Sequence, residues 1–274
     1  MREPDVNSLY VLIGAIRRAL HKVPSLQYVY CKWFVRCLPN RDLVVPWDGQ
    51  QIMVRNPRQS LIGRELLVNG IWEAEVTNFI CGRVSRDMTV IDVGADIGYY
   101  TLLFARRVGK EGRVIAFEPI PEAKERLEDN VGLNGYANVT ICDFALFSSE
   151  GQVVLEGPLQ LSRINLFKSN TENKDIRVMT RVFDQVVPEF ELHRIDLVKI
   201  DVEGAELDVL RGMEGSLKMY HPHLLIEVHP DYLSHFDCGP EDLLGFLHAM
   251  KYTIQAVDKG TVTFSQGNIT IYCT

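Results

Sequence analysis

Apolar positions change rhythm along the chain near residue 88. Before it they recur at helical spacing. Leu9, Leu12, Ile13, Ile16 and Leu20 predict a helix over 6–21, and Leu26, Val29, Tyr30, Trp33 and Cys37 predict another over 25–37. The run DLVVPWDGQQIMVR (42–55) predicts a hairpin turning at Asp48-Gly49. Helices follow at 60–69, stopped by Asn69-Gly70, and at about 73–84.

From residue 88 onward, short continuous apolar runs alternate with helical stretches. The predicted strands are 89–93, 113–117, 138–142, 195–200 and 223–228, followed by the YTIQAV and NITIYC runs. Between them the pattern predicts helices near 98–108, from Pro121 to Asn134-Gly135, over 205–218 and over 240–250. An irregular stretch carrying QVVLE and IRVMT precedes residue 195. Apolar strands divided by helices predict an α/β fold with a mostly parallel sheet covered on both faces. The last two runs, joined through Asp258-Lys259-Gly260 and a short TVTF, predict an antiparallel edge. The expected division is a helical and β-hairpin extension over 1–70 and a main domain over 71–274.

Composition narrows the function. The 274 residues are 46% apolar and 24% charged, which supports a sizeable core. A net charge of −7 weighs against a nucleic-acid partner, since phosphate binding wants a basic face. The charge is uneven, because residues 1–41 hold seven Lys and Arg against two acids. That basic, apolar segment has two readings: a helical cap over the core or cofactor, or a surface for anionic lipid, with Trp33 and Phe34 at the interface. Six scattered cysteines without a CxxC pair read as buried reduced thiols. With no signal peptide and no run long enough to span a bilayer, the expected location is cytoplasmic, allowing peripheral membrane contact.

Ligands of open α/β sheets bind outside the carboxyl ends of the strands. Here those ends are acidic. Asp92, Gly94, Asp96 and Gly98 follow the first strand, Glu118 the second and Asp143 the third. Asp201, Glu203 and Glu206 follow the fourth, and Glu227 and His229 close the fifth. The turn VIDVGADIGYYT (90–101) has the spacing D-x-G-x-x-x-G rather than G-x-G-x-x-G. A carboxylate inside the turn repels a pyrophosphate but suits a cofactor with an ammonium, a sulfonium and no phosphate. S-adenosylmethionine therefore fits better than NAD. Glu118 is placed to hold a ribose diol, and Asp143 to meet the adenine edge. Tyr99 and Tyr100, which open the next helix, read equally as core or as pocket wall.

With VIAFEP, DLVKIDVEGAELDVLRGM, LLIEVHP and IWEAEVTNFI added, the chain resembles the FkbM-type, class I S-adenosylmethionine-dependent methyltransferases from about residue 70 to 257. KIDVEGAE is the most specific element of that likeness. The family pattern usually has Asn where Asp96 stands. The resemblance implies a Rossmann-like, seven-stranded sheet and O-methylation of a small molecule, often a sugar or a lipid- or polyketide-linked hydroxyl.

Methyl transfer needs alignment of the acceptor oxygen and a base for its proton. Asp201, Glu203 and His229 are the candidates, while Lys199 reads better as a carboxylate partner. Asp201, Glu203, Glu206 and Glu227 are hard oxygen ligands, but the Asp-Asn pair of catechol-type enzymes does not follow Asp201, and Glu206 suits a helix first turn. The expectation is therefore no metal. His221, His223 and His229 lack compact zinc spacing and read as core or surface residues. The N/D-P-P-Y/F tetrapeptide of amino-methylating nucleic-acid enzymes is missing. The competing functions are a nucleotide (NAD)-dependent oxidoreductase, disfavoured by Asp96, and a non-catalytic binding module on the same fold.

Overall fold

The computed structural model describes residues 40–58, 60–155, 176–257 and 267–274. The two helices expected over 6–21 and 25–37 lie outside the described residues, as does TVTF. The chain divides into two compact units, Met1–Thr77 and Asn78–Thr274.

In the first unit, β1 (Leu43–Trp47) and β2 (Gln50–Val54) pair antiparallel around Asp48-Gly49, both at positive φ as a two-residue hairpin turn requires. Leu43, Val45, Trp47, Ile52 and Val54 are buried, so alternation of side chains sets the hairpin's inner face. Helix α1 (Leu61–Asn69) opens on Ser60, whose Oγ accepts from the Gly63 N–H at 3.0 Å. It closes on Gly70, whose left-handed backbone returns its N–H to Glu65 and Leu66. Helix α2 (Ala74–Cys81) follows.

The second unit opens with β3 (Thr89–Val93), α3 (Tyr99–Val108), β4 (Arg113–Phe117), α4 (Pro121–Leu133) and β5 (Val139–Cys142). Next come β6 (Ala145–Leu146), β7 (Gly151–Leu155), β8 (Ile176–Arg181) and a short α5 (Phe183–Val186). The second half holds β9 (Leu197–Ile200), α6 (Glu206–Gly212), α7 (Glu214–Tyr220), β10 (His223–Val228), α8 (Pro230–Leu233) and α9 (Pro240–Ala249). It finishes with β11 (Ile254–Ala256) and β12 (Ile269–Cys273).

Seven of these strands form one sheet in the order β11-β12-β10-β9-β3-β4-β5. All pairs from β10 to β5 are parallel, while β12 runs antiparallel to both β10 and β11. This is the Rossmann-like class I methyltransferase arrangement. The antiparallel pair stands at the edge, with β11 outermost and β12 inserted beside β10. Strand order reverses at β3, which places the crevice for a ligand at the carboxyl ends of β3 and β9. Ile91, Val93, Ile115, Phe117, Val198, Ile200, Ile226 and Val228 pack in one buried cluster. Residue alternation sends Asp92 to the opposite face of the sheet.

Two elements differ from the periodicity. The irregular stretch before residue 195 holds a small sheet of order β6-β8-β7. In β8, Val178 and Thr180 are buried while Arg177 and Met179 face solvent, a period of two carried by very few residues. The helix expected over 205–218 is two helices broken at Met213. Asp184 of α5 explains the break. Its carboxylate accepts from the N–H groups of Gly215 and Ser216 at 2.6 and 2.8 Å and from Ser216 Oγ at 2.6 Å, capping α7 from another element. Asp184→Ala is expected to cost about 1–2 kcal/mol through loss of that cap. A melt showing no destabilisation would refute the capping account.

Candidate active site

The β3–α3 turn is built around two glycines and one aspartate. Gly94 (φ +79°) lies against the Asp201 backbone so closely that an added Cβ would overlap the Asp201 carbonyl oxygen. Gly98 (φ +92°) faces Leu127 of α4, where a Cβ would come within 2.6 Å of Cδ1. Asp96 has φ +47°, a conformation that Asp and Asn tolerate best. Exchange between Asp and Asn here would thus keep the backbone shape and change only the charge.

Three carboxylates converge around this turn. Asp92 is fully buried and accepts from Thr101 Oγ1 at 2.6 Å. Burial pushes its carboxyl above the ordinary range, against the pull of Lys199. Glu118 is buried at the end of β4, accepting the Asp96 N–H at 2.8 Å and the Ile120 N–H at 2.9 Å. Burial, opposed by the hydrogen bond from Ile120, raises its carboxyl to about 7. Asp96 is raised to about 6, again chiefly by burial. Asp92 Oδ1 and Asp96 Oδ2 are buried with no hydrogen-bond partner. Unfilled acceptors beside a glycine cradle suit a ligand that brings hydroxyls, an ammonium and positive charge. The residues therefore fit S-adenosylmethionine.

A second group stands at the ends of β9 and β10. Lys199, paired in register with Asp92 across the sheet, donates to Asp201 Oδ2 at 3.2 Å and lies 4.7 Å from the Tyr100 ring centroid. Tyr99 and Tyr100 are both buried and meet edge to face. His229 is completely buried amid acids: its Nδ1 bonds Glu206 Oε1 at 2.7 Å. Nε2 lies 3.3 Å from Glu203 Oε2, 3.7 Å from Glu227 Oε1 and 3.8 Å from Asp201 Oδ1. Burial alone would lower the His229 pKa. The Glu206 hydrogen bond and the charges of Glu203, Asp201 and Glu206 outweigh burial and raise it to about 9.

A family model described as Methyltransferase FkbM domain matches residues 92–254. The chain belongs to the FkbM methyltransferase family. It is 32% identical over 179 residues to the AMB antimetabolite synthetase AmbE of Pseudomonas aeruginosa, covering 52% of this chain and 8% of that protein. It is 29% identical over 157 residues to the Hexuronic acid methyltransferase AglP of Haloferax volcanii, covering 57% of this chain and 62% of the relative. The chain thus spans less than two thirds of the length of either relative. The crystal structure of Methyltransferase FkbM from Methylobacillus flagellatus is 18% identical, with 78% of this chain and 52% of that one covered and a TM-score of 0.47.

Membership selects the FkbM methyltransferase over the dinucleotide-dependent oxidoreductase. Within this FkbM-family chain, Asp92, Gly94, Asp96, Gly98 and Glu118 come together at one turn, and Asp201, Glu203 and His229 at the neighbouring strand ends. Asp143 joins neither group by a direct contact. Its side chain is 70% exposed and pairs with Lys124 at 3.6 Å. Glu206 does occupy the first position of α6, but its carboxylate is buried on His229 and also accepts the Gly204 N–H at 3.0 Å. His221 stacks on Tyr252 and His223 bonds the Tyr272 hydroxyl at 2.6 Å, so only His229 of the three belongs to the acidic group. Two participants carried no sequence signal: Thr101, which holds Asp92, and Tyr232, whose Cβ would meet a Cβ at Gly204 at 2.7 Å. Cys142 and Cys273 are buried free thiols, Cys238 is a partly buried free thiol, and Cys81 is partly buried. No helix among the described residues is long and apolar enough to cross a membrane.

Proposed function

We propose that this enzyme transfers the methyl group of S-adenosylmethionine to a hydroxyl of a small molecule, a sugar or a lipid-linked glycan. The observation that supports this reading is adjacency. The acidic glycine turn abuts the acid-rich group around His229, with Gly94 against the Asp201 backbone and the Asp201 N–H bonded to Val93 at 3.0 Å. In this reading Asp92, Gly94, Asp96, Gly98 and Glu118 hold the cofactor, and Asp143 lies toward its adenine edge. When bound, the cofactor supplies a methyl carbon activated by its sulfonium, so the acceptor needs alignment and a place for its proton.

Asp201 and Glu203 provide that place. Their side chains are 26% and 43% exposed, open enough to reach an acceptor. Both carboxylates stand beside the His229 imidazole and can accept a proton as the acceptor oxygen attacks. Buried Glu206 fixes the imidazole. AglP is named for a hexuronic acid, which places carboxylate-bearing sugars among the acceptors to try. A lipid-linked acceptor would bring the enzyme to a membrane surface, and the basic, aromatic segment before residue 42 has the composition for that contact.

Incubation with labelled S-adenosylmethionine and a panel of sugars, hexuronic acids and hydroxyl-rich metabolites tests the reading, with products identified by mass spectrometry. Label on oxygen is expected. Label confined to nitrogen would overturn the hydroxyl assignment. Cofactor binding without transfer to any acceptor would favour a non-catalytic module.

A further inference from the structure

The groups at the ends of β9 and β10 have the geometry of a coordination set. One oxygen of Asp201, one of Glu227 and one nitrogen of His229 all lie within 4.8 Å of one another. His229 Nε2 stands 3.8 Å from the Asp201 oxygen and 3.7 Å from the Glu227 oxygen. Octahedral bonds of about 2.1 Å put adjacent donors roughly 3.0 Å and opposite donors roughly 4.2 Å apart, so shifts of under about an ångström would bring these three onto one ion.

The imidazole is set up as a ligand. His229 is fully buried, and its Nε2 has no hydrogen-bond partner although it faces the acids. A carboxylate can only accept, so the bond from Nδ1 to Glu206 Oε1 fixes the proton on Nδ1 and directs Nε2 at the other carboxylates. Glu206 is itself fully buried and tied to the Gly204 N–H. A carboxylate behind a histidine in this way is the supporting arrangement of metal-bound imidazoles. Charge points the same way. Asp201, Glu203, Glu206 and Glu227 surround one imidazole, and Lys199 reaches Asp201 at 3.2 Å.

We propose that Asp201, Glu227 and His229 bind a divalent cation, with Glu203 as a more exposed fourth ligand and Glu206 orienting the imidazole. Carboxylates combined with one imidazole suit Mn²⁺, between the oxygen-seeking Mg²⁺ and the nitrogen- and sulfur-seeking Zn²⁺. The cation takes the place of a proton on Nε2 and supplies positive charge at the centre of the four acids. Resting on the functional reading above, its remaining positions would favour an acceptor with two neighbouring oxygens, such as a vicinal diol or a 2-hydroxycarboxylate.

The full chain, stripped with EDTA and desalted, is titrated with MnCl₂ while free Mn²⁺ is followed by electron paramagnetic resonance. One Mn²⁺ per chain is expected, and spin-echo modulation of the bound ion is expected to show imidazole nitrogen. Glu206→Gln is expected to weaken binding about tenfold or more, and Glu227→Gln at least as much. Each variant is first checked for a wild-type melt and S-adenosylhomocysteine affinity. If either fails to fold, the nitrogen modulation of the wild-type protein still decides. No stoichiometric binding at millimolar Mn²⁺, or a bound ion without nitrogen coupling, overturns the site. Methyl transfer measured in parallel separates the two ideas. Transfer that persists in EDTA overturns the cation's role in holding the acceptor and leaves the function standing, whereas nitrogen-coupled Mn²⁺ without transfer supports the cation and counts against the acceptor reading.

Discussion

Gly94→Ala is expected to destabilise the second unit by about 4 kcal/mol or more, the range reserved for backbone strain combined with steric overlap. Two effects add. The residue sits at φ +79°, where a Cβ costs about 1–2 kcal/mol by itself. The added atom would also overlap the Asp201 carbonyl oxygen, which is backbone and has no rotamer to escape into. Relief requires the ends of β3 and β9 to part, and the Asp201-to-Val93 bond of 3.0 Å lies at that junction. For a domain of this size the melting midpoint should fall by roughly 8–16 °C. S-adenosylhomocysteine affinity should fall as well at temperatures where the variant remains folded. Gly132→Ala is the control. It lies in α4 with open space around it and should gain about 0.5–1 kcal/mol. A Gly94→Ala melt indistinguishable from wild type would mean that the strand ends can separate freely, and the close-approach account would fail.

How legible the molecule is in its sequence depends on whether the determining contacts are local. The sheet strands are continuous apolar runs, and the hairpin and α1 carry their own turn and cap residues, so their places follow from neighbours in the chain. The glycine turn is legible for the same reason, since Asp92 to Gly98 act within seven consecutive positions. The break at Met213 is not, because its cause is Asp184, 31 and 32 residues before the amides it caps. The group around His229 was legible only in part. The acids could be named as strand-end residues, but Asp201 and His229 meet because β9 and β10 are parallel neighbours, a fact of sheet order. Histidine spacing along the chain does not register this, because the partners of His229 are carboxylates just after β9, on α6 and on β10, not other histidines. Asp143 is a case of position alone: it follows β5 as the topological rule has it, and its side chain pairs with Lys124 and faces solvent.

Glu118 carries the second large expectation, and it concerns the cofactor rather than the fold. Both of its oxygens already hold backbone amides of the site, those of Asp96 and Ile120, and each oxygen keeps a lone pair for a ribose hydroxyl. Hydrogen bonds to a charged acceptor contribute about 1.5–3 kcal/mol each. Glu118→Ala should therefore weaken S-adenosylhomocysteine binding about a hundredfold or more, and Glu118→Gln, which keeps one acceptor, about tenfold. The pH dependence gives an independent check. Asp96 on the turn and Asp92 at the end of β3 face this carboxyl, and burial with their charges holds it at about 7, above an ordinary 4.5. A carboxyl raised on folding stabilises the ligand-free protein fully below 4.5, and that stabilisation is lost as pH rises through 7. The ligand-free melt should thus fall across this window, by less in Glu118→Gln. Cofactor affinity should move in the opposite direction, tightening as the carboxylate forms above 7, because the ionised group accepts both hydroxyls. Calorimetric titration at pH 6 and pH 8 reads this directly, and equal wild-type affinity at the two would show that Glu118 does not hold the ribose.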